Sequence, residues 1–268
     1  MKIIIDQLNR EINLQDTPKR IVSLVPSQTE LLFDLGLEES IVGVTRFCVH
    51  PYHLKKTKKI VGGTKKVNYT KVKELQPDII LCNKEENTKE MVEELEKIAP
   101  VHVSDIFTLE DAHELIGQYG ELFSCRTQSR QMQQKLQFLQ DDFQEFIKDI
   151  KPQKVAYFIW RNPWMVAGGN NIINHLLELN KFENIYKDKP RYPEVEIKKI
   201  RLEGDPDLVF LSSEPYPFKE EHAFEIGRFT HHAKTVFVDG EMFSWYGSRL
   251  LKAFDYFKAL HKRIAVNK

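Results

Sequence analysis

The sequence predicts an α/β protein of two Rossmann-like lobes with mainly parallel sheets, joined by one long α-helix. Two features lead to this fold class. Short apolar strands alternate with helices along the chain, and one amphipathic stretch without Gly or Pro lies in the middle. We place the N-terminal lobe at 1–126, the helix at 127–150 and the C-terminal lobe at 151–268.

The central stretch is expected to form a single rigid helix. Its apolar residues recur at intervals of four and three, which is the period of a helix with one buried stripe. These residues are Met132, Leu136, Leu139, Phe143 and Phe146. At about 1.5 Å per residue the helix would be about 35 Å long, roughly the width of a small domain. It can therefore connect two lobes, although a core helix of a single domain is the alternative.

The N-terminal half is predicted to contain a hairpin over 2–14 and then repeated strand and helix segments. The strand at 21–24 ends at Pro26, and Ser27 or Thr29 is expected to cap a helix that runs to Leu35. Further strands are expected at 41–45, 79–82 and 101–103, and further helices at 69–75, 88–98 and 108–122.

The C-terminal half repeats this plan. The pair Pro77-Asp78 precedes one apolar strand (QPDIIL), and Pro206-Asp207 precedes another (DPDLVFL). This match favours two lobes over one domain. The other strands are expected at 154–159 and 235–238, and the helices at 171–179, 195–202, 219–227 and 247–261.

The loops beyond the carboxyl ends of the strands are the predicted binding region, because unpaired backbone groups collect there in open parallel sheets. They hold all three tryptophans of the chain, Trp160, Trp164 and Trp245. Aromatic residues on loops suggest contact with a flat ligand across a cleft, although some of them could simply close the lobe edges. The other aromatic residues of these loops are Phe47, Tyr52, Tyr216, Phe218, Phe243 and Tyr246.

Composition argues against several classes of protein. The 39 basic residues balance the 39 acidic ones, so nucleic acid is not an expected partner, and the lysines between 55 and 66 are interpreted as a solvated surface. Three widely spaced cysteines predict reduced thiols rather than a disulfide framework. No apolar run suits a transmembrane helix, and no signal sequence is evident. We therefore expect a cytoplasmic protein, or a periplasmic one if the chain is a trimmed mature form.

Several of these segments together resemble a known family. They are similar to segments of the periplasmic binding proteins with a helical backbone. The segments are PKRIVSLVPSQTELLFDLGL, IVGVT with His50-Pro51, QPDIIL, the central helix and GGNNIINHLLELNKFENIY. Within that family they most resemble the cobalamin receptors of ABC importers, whose relatives bind haem, siderophores or metal ions. The resemblance implies a ligand clamped between two lobes with little hinge motion. We also expect no obligatory cofactor, and a monomer.

The resemblance also implies a set of ligand-contacting residues. By position they are Pro26, Ser27, His50, Tyr52, Trp160, Trp164 and Trp245, to which the loop aromatics Phe47 and Tyr246 are added. Arg249 is similar to the arginine at the end of the last binding loop, where it either contacts ligand or supports the loop. His50 is the candidate axial ligand to the metal of a macrocycle, and a metal-ion site with His53 or Cys48 is the alternative.

One departure from the family concerns docking on a permease. Importer receptors usually carry a glutamate on each lobe, seven residues before the Pro-Asp turn. Thr70 and Lys199 occupy those positions here, and a lysine would repel a permease arginine. Glu74, Glu194, Glu196 or Glu203 could substitute. We therefore weigh a non-docking relative against an importer receptor, and expect no stimulation of a permease ATPase.

Enzyme motifs are not evident in the sequence. GGTKK lacks P-loop spacing, VAGGNN is not a dinucleotide fingerprint, and YGSRL is not a nucleophile elbow. The adjacent Glu85 and Glu86 are interpreted as charges at a helix N-terminus rather than as a catalytic pair. A binding protein without catalytic residues is the expectation, and an enzyme acting on a cofactor is the alternative.

Overall fold

A computed structural model describes residues 2–266 and confirms the two-lobed α/β fold with its long helix. Two compact units divide the chain. Unit 1 comprises Met1–Ile106, Glu110–Gln137 and Tyr246–Leu251, and unit 2 comprises Phe107–Leu109, Phe138–Trp245 and Lys252–Lys268. The lobe boundaries expected after residues 126 and 150 stay a prediction. Of the described helices, none is long and apolar enough to cross a membrane.

Unit 1 is built on a five-stranded parallel sheet beside an N-terminal antiparallel hairpin. The hairpin strands are β1 (Lys2–Ile5) and β2 (Glu11–Leu14), and the sheet strands are β3 (Ile21–Ser23), β4 (Ile41–Thr45), β5 (Lys59–Gly62), β6 (Ile79–Asn83) and β7 (Val101–Ser104). The strand order is β5-β4-β3-β6-β7. This order reverses at β3, as in doubly wound folds, so the carboxyl end of β3 lies at the switch point where such sheets bind ligands.

The helices of unit 1 follow these strands. They are α1 (Pro26–Asp34), α2 (Leu54–Thr57), α3 (Tyr69–Glu74), α4 (Lys89–Glu96) and α5 (Leu109–Leu122), with a 3-10 turn at Glu38–Ser40. The side-chain cap expected from Ser27 or Thr29 is wrong. Pro26 is itself the first helical residue, where its fixed φ and missing N–H suit the helix start, and Val25 is the N-cap.

The Pro-Asp turn binds neighbouring strands together in both units. In unit 1 the Asp78 carboxylate accepts backbone N–H groups of Lys19 and Arg20 at 2.8 and 2.9 Å. In unit 2 the Asp207 carboxylate accepts the N–H of Lys154 at 2.8 Å. Both turns thus fix the start of the adjacent central strand, which confirms the repeat predicted from the sequence.

Helix α6 (Arg126–Ile147) is the long helix, and its residues belong to both units. Met132 and Leu136 are buried in the part assigned to unit 1, and Phe143 and Ile147 are buried in the part assigned to unit 2. In unit 2 the Phe143 ring packs against Phe254 at a centroid distance of 5.6 Å. Of the predicted stripe, Met132, Leu136 and Phe143 are therefore buried, whereas Leu139 and Phe146 are only half-buried.

Unit 2 has a parallel sheet of order β10-β8-β11-β12, with a short antiparallel strand paired to β8. The strands are β8 (Gln153–Trp160), β9 (Met165–Val166), β10 (Phe182–Asn184), β11 (Leu208–Ser212) and β12 (Lys234–Val238). The helices are α7 (Ile172–Leu179), α8 (Glu220–Gly227), α9 (Gly240–Ser244) and α10 (Leu250–Val266), which follows a 3-10 turn at Gly247–Arg249. The helix expected at 195–202 is only a 3-10 turn at Ile197–Lys199.

The GGNN segment fastens a long loop in unit 2. A Cβ atom on Gly168 or Gly169 would lie 2.1 or 2.2 Å from a backbone carbonyl oxygen of the neighbouring segment, so only glycine fits at these two positions. The amide of Asn171 donates to the carbonyl of Arg191 at 3.0 Å, and its oxygen caps α7. The segment thus holds residues 187–191 against the start of the helix.

All three cysteines, Cys48, Cys82 and Cys125, are free and buried, as predicted from their spacing.

Candidate functional site

The candidate site in unit 1 consists of the loops after β3, β4 and β6. Pro26 begins α1 directly beyond the switch point, and Ser27 follows it with only 5% of its surface exposed. Because Pro26 lacks an N–H and the N–H of Thr29 already binds Val25, the N–H groups of Ser27 and Gln28 are the donors at the helix start. Such a terminus favours a negatively charged or carbonyl oxygen.

The loop after β4 carries the exposed side chains of unit 1. Tyr52 is 76% exposed and lies edge to face with His50, at a centroid distance of 5.6 Å. Phe47 is 47% exposed, and the guanidinium of Arg46 lies 5.0 Å from its ring centroid. Three of the predicted ligand residues, Phe47, His50 and Tyr52, thus occupy one loop with accessible aromatic surface.

The two proposed partners of His50 in a metal-ion site have other contacts. The imidazole of His53 bonds to Glu38, and the thiol of Cys48 is buried within 3.1 Å of the Thr29 hydroxyl. Burial raises the pKa of the Cys48 thiol, which disfavours the thiolate needed for metal binding. Across residues 2–266, no three His, Cys, Asp or Glu side chains are grouped so that they could hold a metal ion.

Gln28 is a site residue that the sequence analysis missed. Its amide nitrogen lies 2.6 Å from the Ser104 hydroxyl and 3.1 Å from the Tyr246 hydroxyl, while its carbonyl oxygen accepts the Tyr119 hydroxyl at 2.7 Å. All of these groups are buried. The network joins the start of α1 to the end of β7, and a single glutamine in a helix gives no sequence signal for such a role.

Tyr246 and Arg249 therefore make internal contacts within unit 1. Burial raises the pKa of the Tyr246 phenol, whose hydroxyl is held by Gln28. The Nε atom of Arg249 donates to Glu30 at 2.8 Å, with both side chains almost fully buried. These contacts match the supporting role considered for Arg249, and ligand contact by either residue stays a prediction.

Glu86 is a half-buried acid of the unit 1 loops. It lies in the turn after β6, before the first residue of α4, so it is not a charge in the first turn of the helix. Burial raises the pKa of its carboxyl, and the nearby positive charge of Lys65 partly opposes that shift. The turn thus places a carboxyl of raised pKa among the loops of the candidate site.

In unit 2 the candidate site lies at the carboxyl ends of β8 and β11. Trp160 is the last residue of β8 and is 39% exposed, and the Tyr216 ring meets it edge to face at 5.5 Å. Trp160 is thus the most exposed of the three tryptophans.

Trp164 is packed among side chains of its own unit. Its ring is nearly parallel to that of Phe218, with centroids 5.9 Å apart, and the Arg161 guanidinium lies 4.8 Å from its centroid. Arg161 is in turn paired with Glu225 at 2.7 Å. His222 accepts the Lys219 N–H on Nδ1, so its Nε2 carries the proton that faces the Tyr216 hydroxyl. These contacts order the loop that presents Trp160 and Tyr216.

Trp245 is buried and contacts side chains of its own unit. It is 7% exposed, and its indole N–H donates to Glu214 at 2.9 Å. The same carboxylate oxygen accepts the Ser244 hydroxyl at 2.8 Å. Glu214 thus ties the loop after β11 to the end of α9, and ligand contact by Trp245 stays a prediction.

The comparisons with known proteins agree with this geometry. The family model described as "Periplasmic binding protein" matches residues 21–226. The chain belongs to the periplasmic binding protein family.

Relatives of this periplasmic binding protein carry more specific names. It is 26% identical over 258 residues to the "Uncharacterized ABC transporter substrate-binding lipoprotein YvrC" of Bacillus subtilis (strain 168), covering 92% of this chain and 81% of the relative. It is 24% identical over 250 residues to the "Vitamin B12-binding protein" of Pectobacterium atrosepticum, covering 88% and 86%. The crystal structure of periplasmic vitamin B12 binding protein BtuF of Vibrio cholerae matches with a TM-score of 0.77 at 20% identity, covering 94% of this chain and 99% of the other.

These comparisons confirm that the chain is a substrate-binding protein of the ABC-transporter type. The relatives are named as binding proteins and not as enzymes. They also show that the expected cytoplasmic location is wrong, because the relatives are named as a lipoprotein and as a periplasmic protein. The error has a physical reason: an export signal is removed from the mature chain, so the first residues of a sequence need not reveal the compartment.

The two positions considered for permease docking are exposed in this periplasmic binding protein. Thr70 lies on α3, and Lys199 lies in the 3-10 turn before the second Pro-Asp pair, where it bonds to Glu196 at 2.7 Å. The Glu196 carboxylate raises the pKa of the Lys199 ammonium, which keeps it charged. The absence of permease ATPase stimulation stays a prediction.

Proposed function

We propose that this substrate-binding protein captures a corrinoid such as cobalamin, or another large and flat metal chelate, without catalysing a reaction. The observation that carries the proposal is the half-exposed Trp160 ring at the carboxyl end of β8, supported on its edge by Tyr216. An aromatic ring fixed in this way offers a face for stacking at little entropic cost. A relative named as a vitamin B12-binding protein supports the corrinoid class.

Unit 1 offers polar and apolar contacts of its own to a ligand. The Ser27 and Gln28 N–H groups at the start of α1 bind an oxygen at the ligand periphery, and the loop of Phe47, His50 and Tyr52 covers apolar surface. In this proposal His50 lies near the metal centre of the chelate. The protein needs no cofactor of its own, because the metal enters with the ligand.

Titration of the purified protein with cyanocobalamin, cobinamide, haemin and divalent metal ions tests the proposal. Trp160→Ala is expected to weaken the affinity for the preferred chelate at least tenfold, because a buried aromatic side chain contributes about 1.5–3 kcal/mol. Calorimetry is the suitable assay, since Trp160 is itself a fluorophore. Phe224→Ala is the matched control, because Phe224 is an aromatic residue of α8 that is 75% exposed. Binding of free metal ions but of no chelate would refute the proposal.

The role of His50 has a separate spectroscopic test. If its imidazole coordinates the metal of the bound chelate, binding shifts the visible absorption of the chelate, and His50→Ala abolishes the shift. Tyr52→Phe keeps the ring beside His50 and is the control. A shift that persists in His50→Ala would show that another group binds the metal.

A further inference from the structure

The segment 40–73, which contains β5, carries charged side chains of one sign that the proposed function does not use. From Ser40 to Lys73 the chain has nine Lys and Arg residues and no Asp or Glu. The rest of the chain has 30 basic against 39 acidic residues, so a neutral protein is divided into a basic segment and an acidic remainder. Such a separation of charge orients a protein on a charged surface.

The lysines of this segment surround the outermost strand of the sheet. Six of these lysines form a surface that we call the basic edge. They are Lys55, Lys56, Lys59, Lys66, Lys71 and Lys73. They lie on α2, on β5, on the turn after it and on α3, and all six are exposed. In the part of the chain that the structure describes, none of the six is paired with a carboxylate, whereas Lys84, Lys97 and Lys199 of other surfaces are.

We propose that the basic edge holds unit 1 against an anionic lipid bilayer surface. Clusters of four to eight lysines are the usual means by which proteins bind acidic lipid headgroups, with roughly a fivefold gain in binding per lysine near the surface. Tyr69 begins α3 within the same segment and is 39% exposed, and tyrosine is enriched at the level of lipid headgroups. The acidic remainder of the chain would be repelled, so the basic edge faces the lipid.

A different explanation is that the lysines only protect the edge strand β5 from pairing with other chains. The two explanations differ in what the loss of charge does. If the lysines only protect the edge, their removal causes aggregation and leaves lipid binding unaffected. If they bind lipid, removal of the charge releases the protein from vesicles while it remains monomeric.

Cosedimentation with vesicles tests the proposal on the full chain. The probe is a 1:1 mixture of phosphatidylglycerol and phosphatidylcholine, compared with pure phosphatidylcholine, in 0.1 M NaCl. The triple variant Lys56→Gln, Lys66→Gln and Lys71→Gln is expected to bind about a hundredfold more weakly than the wild type, from roughly fivefold per lysine. The matched control changes Lys151, Lys187 and Lys198, three exposed lysines of unit 2, to glutamine. It loses the same net charge and is expected to stay within threefold of the wild type.

The outcomes decide between the explanations. Binding of the wild type should require phosphatidylglycerol and disappear in 0.5 M NaCl, where charges are screened within about 4 Å. Equal losses in the two triple variants would overturn the proposal, because the effect would then follow net charge rather than the basic edge. The proposal would also be overturned if the wild type did not bind the anionic vesicles. Stronger binding to duplex DNA than to vesicles would overturn it as well. Chelate affinity is expected to be unchanged in both variants.

Discussion

The ion pair between Arg249 and Glu30 gives the most direct test of how unit 1 is held together. The Arg249 Nε atom donates to the Glu30 carboxylate at 2.8 Å, and about 5% of each side chain is exposed. Changing Arg249 to Met keeps the approximate length of the side chain but removes the guanidinium, and the Glu30 carboxylate is left buried without this partner. Removal of one member of a buried pair typically costs about 3–5 kcal/mol.

The expected magnitude follows from comparing the single and double variants. Arg249→Met should lower the free energy of unfolding by about 3–5 kcal/mol, and adding Glu30→Gln should recover part of that loss because the buried charge is gone. Lys148→Met is the control, since Lys148, just beyond the end of α6, forms an exposed pair with Glu145, and such a pair contributes about 0.5 kcal/mol or less.

Urea unfolding monitored by two signals provides the assay. All three tryptophans belong to unit 2, so far-UV circular dichroism, but not tryptophan fluorescence, follows the loss of unit 1. An earlier unfolding transition is expected in the dichroism signal of Arg249→Met. The reasoning is refuted if Arg249→Met unfolds within 1 kcal/mol of the wild type. If that stable variant nevertheless loses chelate affinity, Arg249 is a ligand contact rather than a support.

Two further predictions concern unit 2. Burial lowers the pKa of His261 to about 4, against about 6.5 in an unfolded chain. The unfolded state therefore binds more protons than the folded state between these pH values. The free energy of unfolding should fall by up to about 3 kcal/mol as the pH drops from 6.5 to 4. Urea midpoints measured across this range should fall less steeply in His261→Gln, and equal slopes would contradict the assignment. Gly168→Ala should destabilise the protein by about 1–3 kcal/mol in thermal or urea unfolding, since its Cβ would lie 2.1 Å from the Lys189 carbonyl oxygen. Gly227→Ala, with no atom within 4 Å of its added Cβ, should be neutral, and equal effects of the two changes would exclude the steric explanation.

The central strands and helices could be predicted from the sequence because their signals are local. The Pro-Asp pairs, the apolar strands and the spacing of Met132, Leu136 and Phe143 each reflect a few neighbouring residues. The edge strands β5 and β10 were not predicted, since β5 has only four residues and β10 only three. Their strand conformation depends on pairing with β4 and β8, which a single segment does not reveal.

The candidate site was harder to predict than the fold. The sequence identified loops rich in aromatic residues, but not which of those residues would be buried. Trp245 and Trp160 look alike in sequence, yet the indole of Trp245 donates to Glu214, 31 positions earlier in the chain, while Trp160 keeps an exposed face. Gln28 was missed for the same reason, because Ser104, Tyr119 and Tyr246 come together only after folding.

The assignment of Tyr246–Leu251 to unit 1 has a consequence for synthesis on the ribosome. The last strand of that unit, β7, ends at Ser104, but the Tyr246 hydroxyl and the Arg249 guanidinium that complete its interior belong to residues made more than a hundred positions later. Unit 1 therefore cannot reach its final structure while it emerges, although domains commonly fold in order of synthesis. A nascent chain stopped at residue 245 should keep unit 1 sensitive to protease, and a chain extended past residue 251 should not.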